Sequence, residues 1–222
     1  MQKLEDDLIV IETDIDSQYE KSIGYFIIKR IIDIIGALVG IILLSPVMII
    51  VSIWIKLDSK GSIFFIQERV SQDAGGFMMY KFRSMCSDAE YLLEKLQDKN
   101  EMAGPMFKIK DDPRITKAGR FIRRTSIDEL PQLFNILKGE MSIVGPRPSL
   151  PKEVAQFTLF QKQRLVAKPG LTCYWQVRGR SDVSFQEWME MDVQYIEERN
   201  TIIDIGLIFK TVGVLFGDEG AR

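Results

Sequence analysis

The stretch IIGALVGIILLSPVMIIVSIWI, residues 34 to 55, runs for 22 residues without a charge. A helix of this length is about 33 Å long at 1.5 Å per residue, which is enough to cross the hydrocarbon core of a bilayer. Ser45 and Pro46 lie at its centre. Proline removes a backbone donor from a helix and clashes with the preceding turn, while a neighbouring serine can bond a freed carbonyl. The stretch therefore predicts a membrane helix with a break at Ser45-Pro46.

Basic residues flank this apolar segment on both sides. Lys29 and Arg30 precede it, and Lys56 and Lys60 follow it. Because the cytoplasmic flanks of membrane segments carry the positive excess, the pattern favours a helix that returns to the side it entered. A single ordinary span is the alternative that length alone supports. The segment follows an acidic stretch and lacks the short apolar core of a secretory signal, so no cleavable signal peptide is predicted.

The composition restricts the chemistry of a chain whose 222 residues are enough for one catalytic domain. There is no histidine in the sequence, which removes the usual general base and the commonest metal ligand. Nucleophilic sites of the Ser/His/Asp and Cys/His types are thereby excluded. Cys86 and Cys173 form no CxxC motif, so reduced thiols are expected, as is typical of cytoplasmic proteins. Catalysis would use carboxylates, lysines, arginines or hydroxyls.

The charges are segregated along the chain although the net charge is only −2. Residues 1–20 contain seven acidic residues and one lysine. Residues 107–124 contain seven basic and two acidic residues, and residues 161–180 contain five basic residues and no acid. Two basic blocks in a nearly neutral protein favour a small polyanion or a charged membrane surface as the partner, and not nucleic acid. Solvated helix faces account for some of these charges.

For the rest of the chain, the sequence predicts a β-hairpin and several helices. Two β-rich runs, residues 62–70 and 77–85, flank a Gly-Gly turn and predict an antiparallel hairpin. Capping boxes at Ser87 to Glu90 and at Ser184 to Glu187 predict two helix starts, the first helix reaching residue 98. The apolar residues 202–216 are too few to span a bilayer and predict a core or interfacial helix.

The stretch RRTSIDELPQLFNILKGEMSIVGPRP, residues 123 to 148, places two adjacent carboxylates in basic surroundings. Pro131 suits a first helical turn, so Asp128 and Glu129 are predicted at a helix N-terminus, where the dipole favours anions. A capping box from Ser126 to Glu129 is an equally good structural explanation of the pair. The residues alone leave both explanations open.

Further arginines stand in segments that suit phosphate binding. Gly145-Pro146-Arg147-Pro148 predicts a stiff loop that presents an arginine, and residues 168–181 supply Lys168, Arg178 and Arg180 among glycines. Arginine forks match phosphate oxygens. Neither GxxxxGK[ST] nor GxGxxG occurs, so a P-loop and a dinucleotide-binding fold are not predicted.

Five segments, in this order, together resemble the bacterial monotopic phosphoglycosyl transferases. They are KRIIDIIGALVGIILLSPV, YKFRSM, DELPQLFNILKGEMSIVGPRP, KPGLTCYWQVRGRS and MDVQYI, which lie between residues 29 and 196. The resemblance as a whole runs from about residue 29 to residue 216. The resemblance implies a membrane enzyme that moves a sugar-1-phosphate from a UDP-sugar to undecaprenyl or another polyprenyl phosphate and releases UMP. Such a reaction begins the assembly of a capsule, an exopolysaccharide or another glycan. The resemblance also implies that the Ser45-Pro46 helix is re-entrant.

The resemblance assigns roles to particular residues. It implies that Asp128 is the nucleophile of a covalent aspartyl-phosphosugar intermediate and that Glu129 helps to bind Mg²⁺. The matching positions for phosphate binding are Arg123, Arg147, Arg180, Lys81 and Arg83. Asp192 matches a family aspartate near the site. The sequence departs from the family at Cys173-Tyr174 and at Arg178, which leaves the sugar unassigned.

The expected fold class is helix-dominated α+β, with a re-entrant helix, a β-hairpin and interfacial helices around a small cytoplasmic catalytic domain. The expected division is an acidic segment 1–28, a re-entrant membrane helix 29–57 and a catalytic domain 58–222. The protein would lie on the cytoplasmic face of the inner membrane, in contact with inner-leaflet phospholipid. The Gly36-xxx-Gly40 spacing is compatible with a homodimer but is a weak signal. A membrane-bound scaffold without turnover, and a metal-dependent hydrolase of lipid-linked phosphates, are the alternative functions.

Overall fold

The structure is a computed structural model, and it describes residues 21–96, 98, 109, 111–178 and 183–216. Most of the acidic N-terminal segment and Arg180 lie outside these residues. The helices are α1 (Ile23–Asp58), α2 (Ala89–Glu94), α3 (Lys117–Arg124), α4 (Gln132–Lys138), α5 (Pro151–Val154), α6 (Leu159–Lys162), α7 (Tyr174–Arg178), α8 (Phe185–Glu198) and α9 (Thr201–Phe216). The strands are β1 (Phe64–Val70), β2 (Gly76–Phe82), β3 (Ser142–Val144) and β4 (Gly170–Thr172). The predicted helix-dominated α+β class is confirmed.

Helix α1 is continuous through Pro46, so the secondary structure does not show the break predicted at Ser45-Pro46. Pro46 has no N–H to donate to the carbonyl four residues before it, that of Ile42. The Ser45 hydroxyl donates to this same carbonyl at 2.9 Å. The serine thus satisfies the acceptor that the proline leaves without its helical donor, and the helix continues. The helix also begins before and ends after the predicted limits of 29 and 57.

The first half of α1 is bonded to the rest of the protein through its charged residues. Lys29 Nζ donates to the carboxylate of Asp204 and to the carbonyl of Val144, both at 2.9 Å. Arg30 donates to the last carbonyls of α4 at 2.7 and 2.8 Å, where a cation also complements the helix dipole. Asp33 accepts hydrogen bonds from the backbone and the hydroxyl at the start of β3. These contacts fix the direction in which α1 leaves the domain.

The last residues of α1 return to the same domain. Asp58 accepts a hydrogen bond from the backbone N–H of Ala118 at 3.0 Å, in the first turn of α3. Val51 and Ile55 pack with Phe82 and Ile122 in a buried cluster. Between its ends, α1 exposes a wide apolar face that includes Ile42, Leu43 and Ile50. It is the one helix in the described part of the chain that is long and apolar enough to cross a membrane.

Strands β1 and β2 form the predicted antiparallel hairpin. The turn between them is a short 3₁₀ segment, Gln72–Ala74, in which Asp73 and Ala74 have positive φ. The predicted capping box at Ser87 is wrong: α2 begins at Ala89, has Asp88 as its N-cap without a side-chain bond, and ends at Glu94. The later box is confirmed, because Ser184 and Glu187 cap the 14-residue helix α8 reciprocally.

The helix predicted over residues 202–216 is confirmed as α9. Its Leu207 and Asp204 are buried against the domain, while Ile202 and Phe209 are largely exposed. The exposed side of α9 therefore extends the apolar surface that α1 presents.

Strands β3 and β4 form a short parallel pair whose backbones come unusually close at two glycines. Gly145 N–H donates to the Thr172 carbonyl, and Gly170 N–H donates to the Pro146 carbonyl, both at 2.9 Å. A Cβ added to Gly170 would lie 2.1 Å from the backbone nitrogen of Gly145, which leaves no room for a side chain. The pair holds the loop that follows β3 against the loop that precedes β4.

We predict that Gly170→Ala destabilises the protein by on the order of 3 kcal/mol, because the backbone atoms in contact cannot move aside. The matched control is Gly206→Ala in α9, where an added Cβ meets no atom within 4 Å. That change should be neutral or stabilising by up to about 1 kcal/mol. Thermal unfolding of both variants in detergent measures the difference. Equal melting temperatures for the two variants would contradict the close approach.

Candidate active site

Asp128 and Glu129 lie in a 3₁₀ turn, Ile127–Glu129, between α3 and α4. The capping box predicted from Ser126 to Glu129 is wrong. Ser126 has a left-handed backbone, with φ 57°, and its side chain forms no cap bond. Pro131 is the N-cap of α4, so the two acids precede this helix and are not in its first turn. The explanation of the pair as a helix cap therefore loses its basis.

Glu129 is the centre of a partly buried ion cluster. Its Oε1 accepts hydrogen bonds from Lys81 Nζ and from Arg147 Nη1, both at 2.8 Å. Burial alone would raise the pKa of Glu129, but the charges of Arg147 and Lys81 hold this pKa far below its usual range. Glu129 is thus a permanent anion at physiological pH. Lys81 comes from β2 and Arg147 from the loop after β3, so the cluster joins three elements.

Asp128 is buried beside this cluster but is bonded much less tightly. Its Oδ2 lies 3.9 Å from Lys81 Nζ, and among the described residues no side chain or backbone group donates a hydrogen bond to it. Burial raises the pKa of its carboxyl, the charge of Glu129 adds to this effect, and Lys81 and Arg123 oppose it. The result is a carboxylate that accepts no hydrogen bond from the described residues and lies next to the positive charge of Lys81.

The loop that carries Arg147 is held by its backbone carbonyls. The Arg147 carbonyl accepts from Arg164 at 2.6 Å, and the Pro148 carbonyl accepts from Arg69 at 3.1 Å. The Ser149 carbonyl accepts from the backbone of Val70 at 2.9 Å. Sequence reasoning assigned no role to Arg69 or Arg164, because nothing in their spacing indicates that they meet this loop. These contacts fix the backbone from which Arg147 reaches Glu129.

The remaining predicted phosphate ligands are placed differently from one another. Arg123 is an exposed residue of α3, close enough for its charge to lower the pKa of Asp128. Arg83 is not at the carboxylates: its guanidinium donates to the carbonyls of Ser59 and Lys60, both at 2.7 Å, and so binds the end of α1. The prediction for Arg83 is therefore corrected to an anchor of the membrane helix. Arg180 lies outside the described residues.

Asp192, predicted near the site, lies behind the Arg147 loop and not against Asp128. It is completely buried on α8, and its Oδ2 is 2.7 Å from Arg164 Nη2. Burial raises the pKa of Asp192 to about 6, although the charge of Arg164 opposes this shift. Its contact with the site is indirect, through Arg164.

The carboxylates also fit a Mg²⁺ ion of the kind that the resemblance implied. Mg²⁺ is commonly held by one or two carboxylates together with water and substrate phosphates. Within the described ranges, both ion pairs of Glu129 use Oε1, which leaves Oε2 and the oxygens of Asp128 for such an ion. Within the described part of the chain, no group of three or more His, Cys, Asp and Glu side chains could hold a metal. The donor set suits an ion shared with a bound diphosphate and does not form a closed protein cage.

The arrangement suits an anionic, phosphate-bearing substrate. A carboxylate and a phosphate repel each other unless nearby positive charge cancels the repulsion. Lys81, Arg147 and the more distant Arg123 supply that charge on one side of Asp128. A phosphoryl group bound by these cations would lie next to a carboxylate to which no described residue donates a hydrogen bond.

Comparison with known proteins gives an independent view of this chain. Its residues 24–218 match the family described as bacterial sugar transferase. The chain is 46% identical to the galactosyl transferase CpsE of Streptococcus agalactiae over 90% of its length. It is 41% identical, over 87% of its length, to the UDP-galactose-lipid carrier transferase of Erwinia amylovora and to the undecaprenyl-phosphate galactose phosphotransferase of Salmonella typhimurium.

The chain spans less than half the length of these three relatives, 44%, 41% and 41% respectively. The matched part nevertheless contains α1, the hairpin, the Asp128-Glu129 turn and the Arg147 loop. The match over residues 24–218 covers most of the 222 residues and all of the site residues described above. This chain belongs to the bacterial sugar transferase family.

Proposed function

We propose that the protein transfers a sugar-1-phosphate from a UDP-sugar to a polyprenyl phosphate such as undecaprenyl phosphate. The observation that carries this proposal is the different state of the two adjacent carboxylates. Glu129 is bound by Lys81 and Arg147, whereas Asp128 accepts no hydrogen bond from the described residues. The names of two relatives, which specify UDP-galactose with a lipid carrier and undecaprenyl phosphate, support the substrate classes.

In the first proposed step, an oxygen of Asp128 attacks the phosphorus that bears the sugar. A carboxylate–phosphorus bond forms, the bond from this phosphorus to the bridging oxygen breaks, and the electron pair leaves with UMP. Lys81 and Arg147 lie where they would bind the negative oxygens of the diphosphate and stabilise charge on the transferring group. The products of this step are UMP and an aspartyl-phosphosugar.

In the second proposed step, an oxygen of the polyprenyl phosphate attacks the same phosphorus and releases Asp128 as a carboxylate. The product is a polyprenyl diphosphate sugar. Because UMP leaves before the lipid phosphate enters, one set of cations serves both substrates in turn. A covalent intermediate thus allows a water-soluble donor and a lipid acceptor to react at a single site.

Glu129 would hold Mg²⁺ through Oε2, together with the diphosphate, and the ion would neutralise phosphate charge when bound. Lys81 and Arg147 keep Glu129 ionised and oriented for this role. The same two contacts make Glu129 a poor nucleophile, because two cations already compensate its negative charge. This division of labour explains why the sequence has two adjacent carboxylates.

We further propose that α1 enters and leaves the cytoplasmic leaflet of the inner membrane on one side. Charged residues at both ends of α1 bond to the same domain: Lys29, Arg30 and Asp33 at the start, and Asp58 at the end. A spanning helix would place its ends about 30 Å apart on opposite faces of the bilayer. The exposed apolar surfaces of α1 and α9 would then contact lipid beside the site.

The nucleophile is tested by incubating the protein with UDP-galactose labelled in the sugar, with Mg²⁺ and without lipid. Wild type should release about one UMP per protein and retain the label, and hydroxylamine should remove it, as expected of an acyl phosphate. Asp128→Asn should abolish labelling, while Glu129→Gln should slow it by about 100-fold or more, since it weakens the charge arrangement. Other UDP-sugars are tested in parallel to identify the donor.

Asp73→Asn is the matched control, because it makes the same chemical change at an exposed turn of the hairpin. It should label at the wild-type rate. Label that persists in Asp128→Asn would refute the assignment of the nucleophile, and a wild type that never labels with any donor would refute the covalent mechanism.

The membrane arrangement is tested with single cysteines at Lys21 and Lys60, which flank α1. Cys86 is replaced by serine, and Cys173 is completely buried. Both new thiols should be protected from an impermeant maleimide applied outside intact spheroplasts and should react after lysis. Labelling of one position from outside would show that α1 spans the bilayer.

A further inference from the structure

Arg164 makes the most complete set of buried contacts outside the carboxylate cluster. It lies in the 3₁₀ turn Gln163–Val166 and is 2% exposed. Its Nη1 donates to the hydroxyl of Ser149 and its Nη2 donates to the carbonyl of Arg147, both at 2.6 Å. The guanidinium is also near the rings of Phe157 and Trp188, at 5.8 and 5.6 Å from their centroids. The aromatic rings restrict the movement of the guanidinium, and both hydrogen bonds go to the loop that contains Arg147 and Ser149.

Asp192 forms an ion pair with Arg164 at the same nitrogen that binds the Arg147 carbonyl. Its carboxylate is 2.7 Å from Nη2 and has no exposed surface. Two buried charges are costly to remove from water, and replacing such a pair by apolar residues often stabilises a protein. Stability is therefore a poor explanation for a buried ion pair at this place. A requirement to hold the Arg147 loop in a defined position is the better explanation, because Arg164 of this pair binds the backbone carbonyl of Arg147.

Arg164 is connected to Glu129 through a single residue, Arg147. The carbonyl that Arg164 binds belongs to Arg147, whose own guanidinium donates to Glu129 at 2.8 Å. Displacement of this carbonyl moves the Cα of Arg147 and changes how far its side chain reaches. Ser149, two residues further on, is held by the same guanidinium. A planar fork can satisfy both acceptors at once, and a lysine ammonium on a flexible stem cannot reproduce that arrangement.

We propose that Arg164 is a positioning residue that sets the location of the Arg147 guanidinium at the diphosphate, with Asp192 fixing Arg164 in turn. The inference rests on the proposed function, since its effect is expressed in formation of the aspartyl-phosphosugar. Arg164 itself touches neither carboxylate of the site. It acts through the Arg147 carbonyl and the Ser149 hydroxyl.

The test measures the single-turnover rate of adduct formation and the KM for the UDP-sugar in Arg164→Lys, Asp192→Asn and Ser149→Ala. Arg164→Lys should slow adduct formation by about 100-fold, the loss expected when a binding group is misplaced by about 1 Å. Ser149→Ala removes one of the two hydrogen bonds and should slow it less, by about 10-fold. If Arg164→Lys does not fold, Ser149→Ala and Asp192→Asn still decide the matter, and wild-type rates in both would overturn the proposal.

A destabilised control separates positioning from general loss of structure. Ile196 is buried on α8 in a different cluster, with Tyr174, Tyr195 and Leu207. Ile196→Ala should lower the melting temperature at least as much as Arg164→Lys and leave the adduct rate within about 2-fold of wild type, since large-to-small core changes act mainly on stability. Equal slowing in both variants would overturn the proposal.

A double-mutant cycle with Arg147→Lys measures the coupling between Arg164 and Arg147 in the rate of adduct formation. A purely structural role of Arg164 would not produce this coupling. If Arg164 acts through Arg147, then Arg164→Lys should have less than about a 2-fold effect in the Arg147→Lys background. A full, additive effect in that background would overturn the inference while leaving the proposed function intact. Failure of the wild type to form any adduct would instead refute the proposed function.

Discussion

The site depends on one carboxylate oxygen that binds two cations. Glu129 Oε1 accepts from Lys81 on the hairpin and from Arg147 on the loop after β3, so it joins elements that are separated by 48 and 18 residues in sequence. Because all three charges are largely withdrawn from water, loss of one would leave the others uncompensated. The cluster fixes the backbone of the 3₁₀ turn, and Asp128 thereby lies beside positive charge without accepting a hydrogen bond from any described residue. A tightly bonded glutamate is what leaves its neighbour available for chemistry.

The membrane helix is part of this arrangement and not an appendage to it. Lys29 bonds to the carbonyl of Val144, the last residue of β3, immediately before the loop that carries Arg147. Ala37 of α1 packs in the same buried cluster as Met79, two residues before Lys81. Arg83, two residues after Lys81, binds the carbonyls at the end of α1. The segment that supplies Lys81 and the loop that supplies Arg147 are thus both in contact with one helix, so α1 helps to set their relative positions.

Local sequence patterns predicted an element correctly where the local hydrogen bonds that they imply form in the structure. The hairpin and the α8 capping box are of this kind. The same Ser-x-x-Glu spacing failed twice, at Ser87 and at Ser126, because Asp88 took the cap position in the first case and a left-handed residue with a nearby proline redirected the chain in the second. Spacing shows that a cap can form, and the surrounding backbone decides whether it does.

From the sequence, only those site residues that lie within a recognisable motif could be predicted. Asp128, Glu129, Lys81 and Arg147 are brought together as the resemblance implied, but Arg83 is not, since β2 ends at Phe82 and strand alternation no longer fixes the direction of the next side chain. Arg164 and Arg69 gave no sequence signal, because each binds the Arg147 loop through a backbone carbonyl, which every residue has. The most direct test of the account is a structure of Asp128→Asn with UDP-sugar and Mg²⁺ bound. The account predicts the side chain of residue 128 about 3–3.5 Å from the phosphorus that bears the sugar, with Arg147 on the diphosphate. A side chain turned away from that phosphorus, with other residues between them, would contradict it.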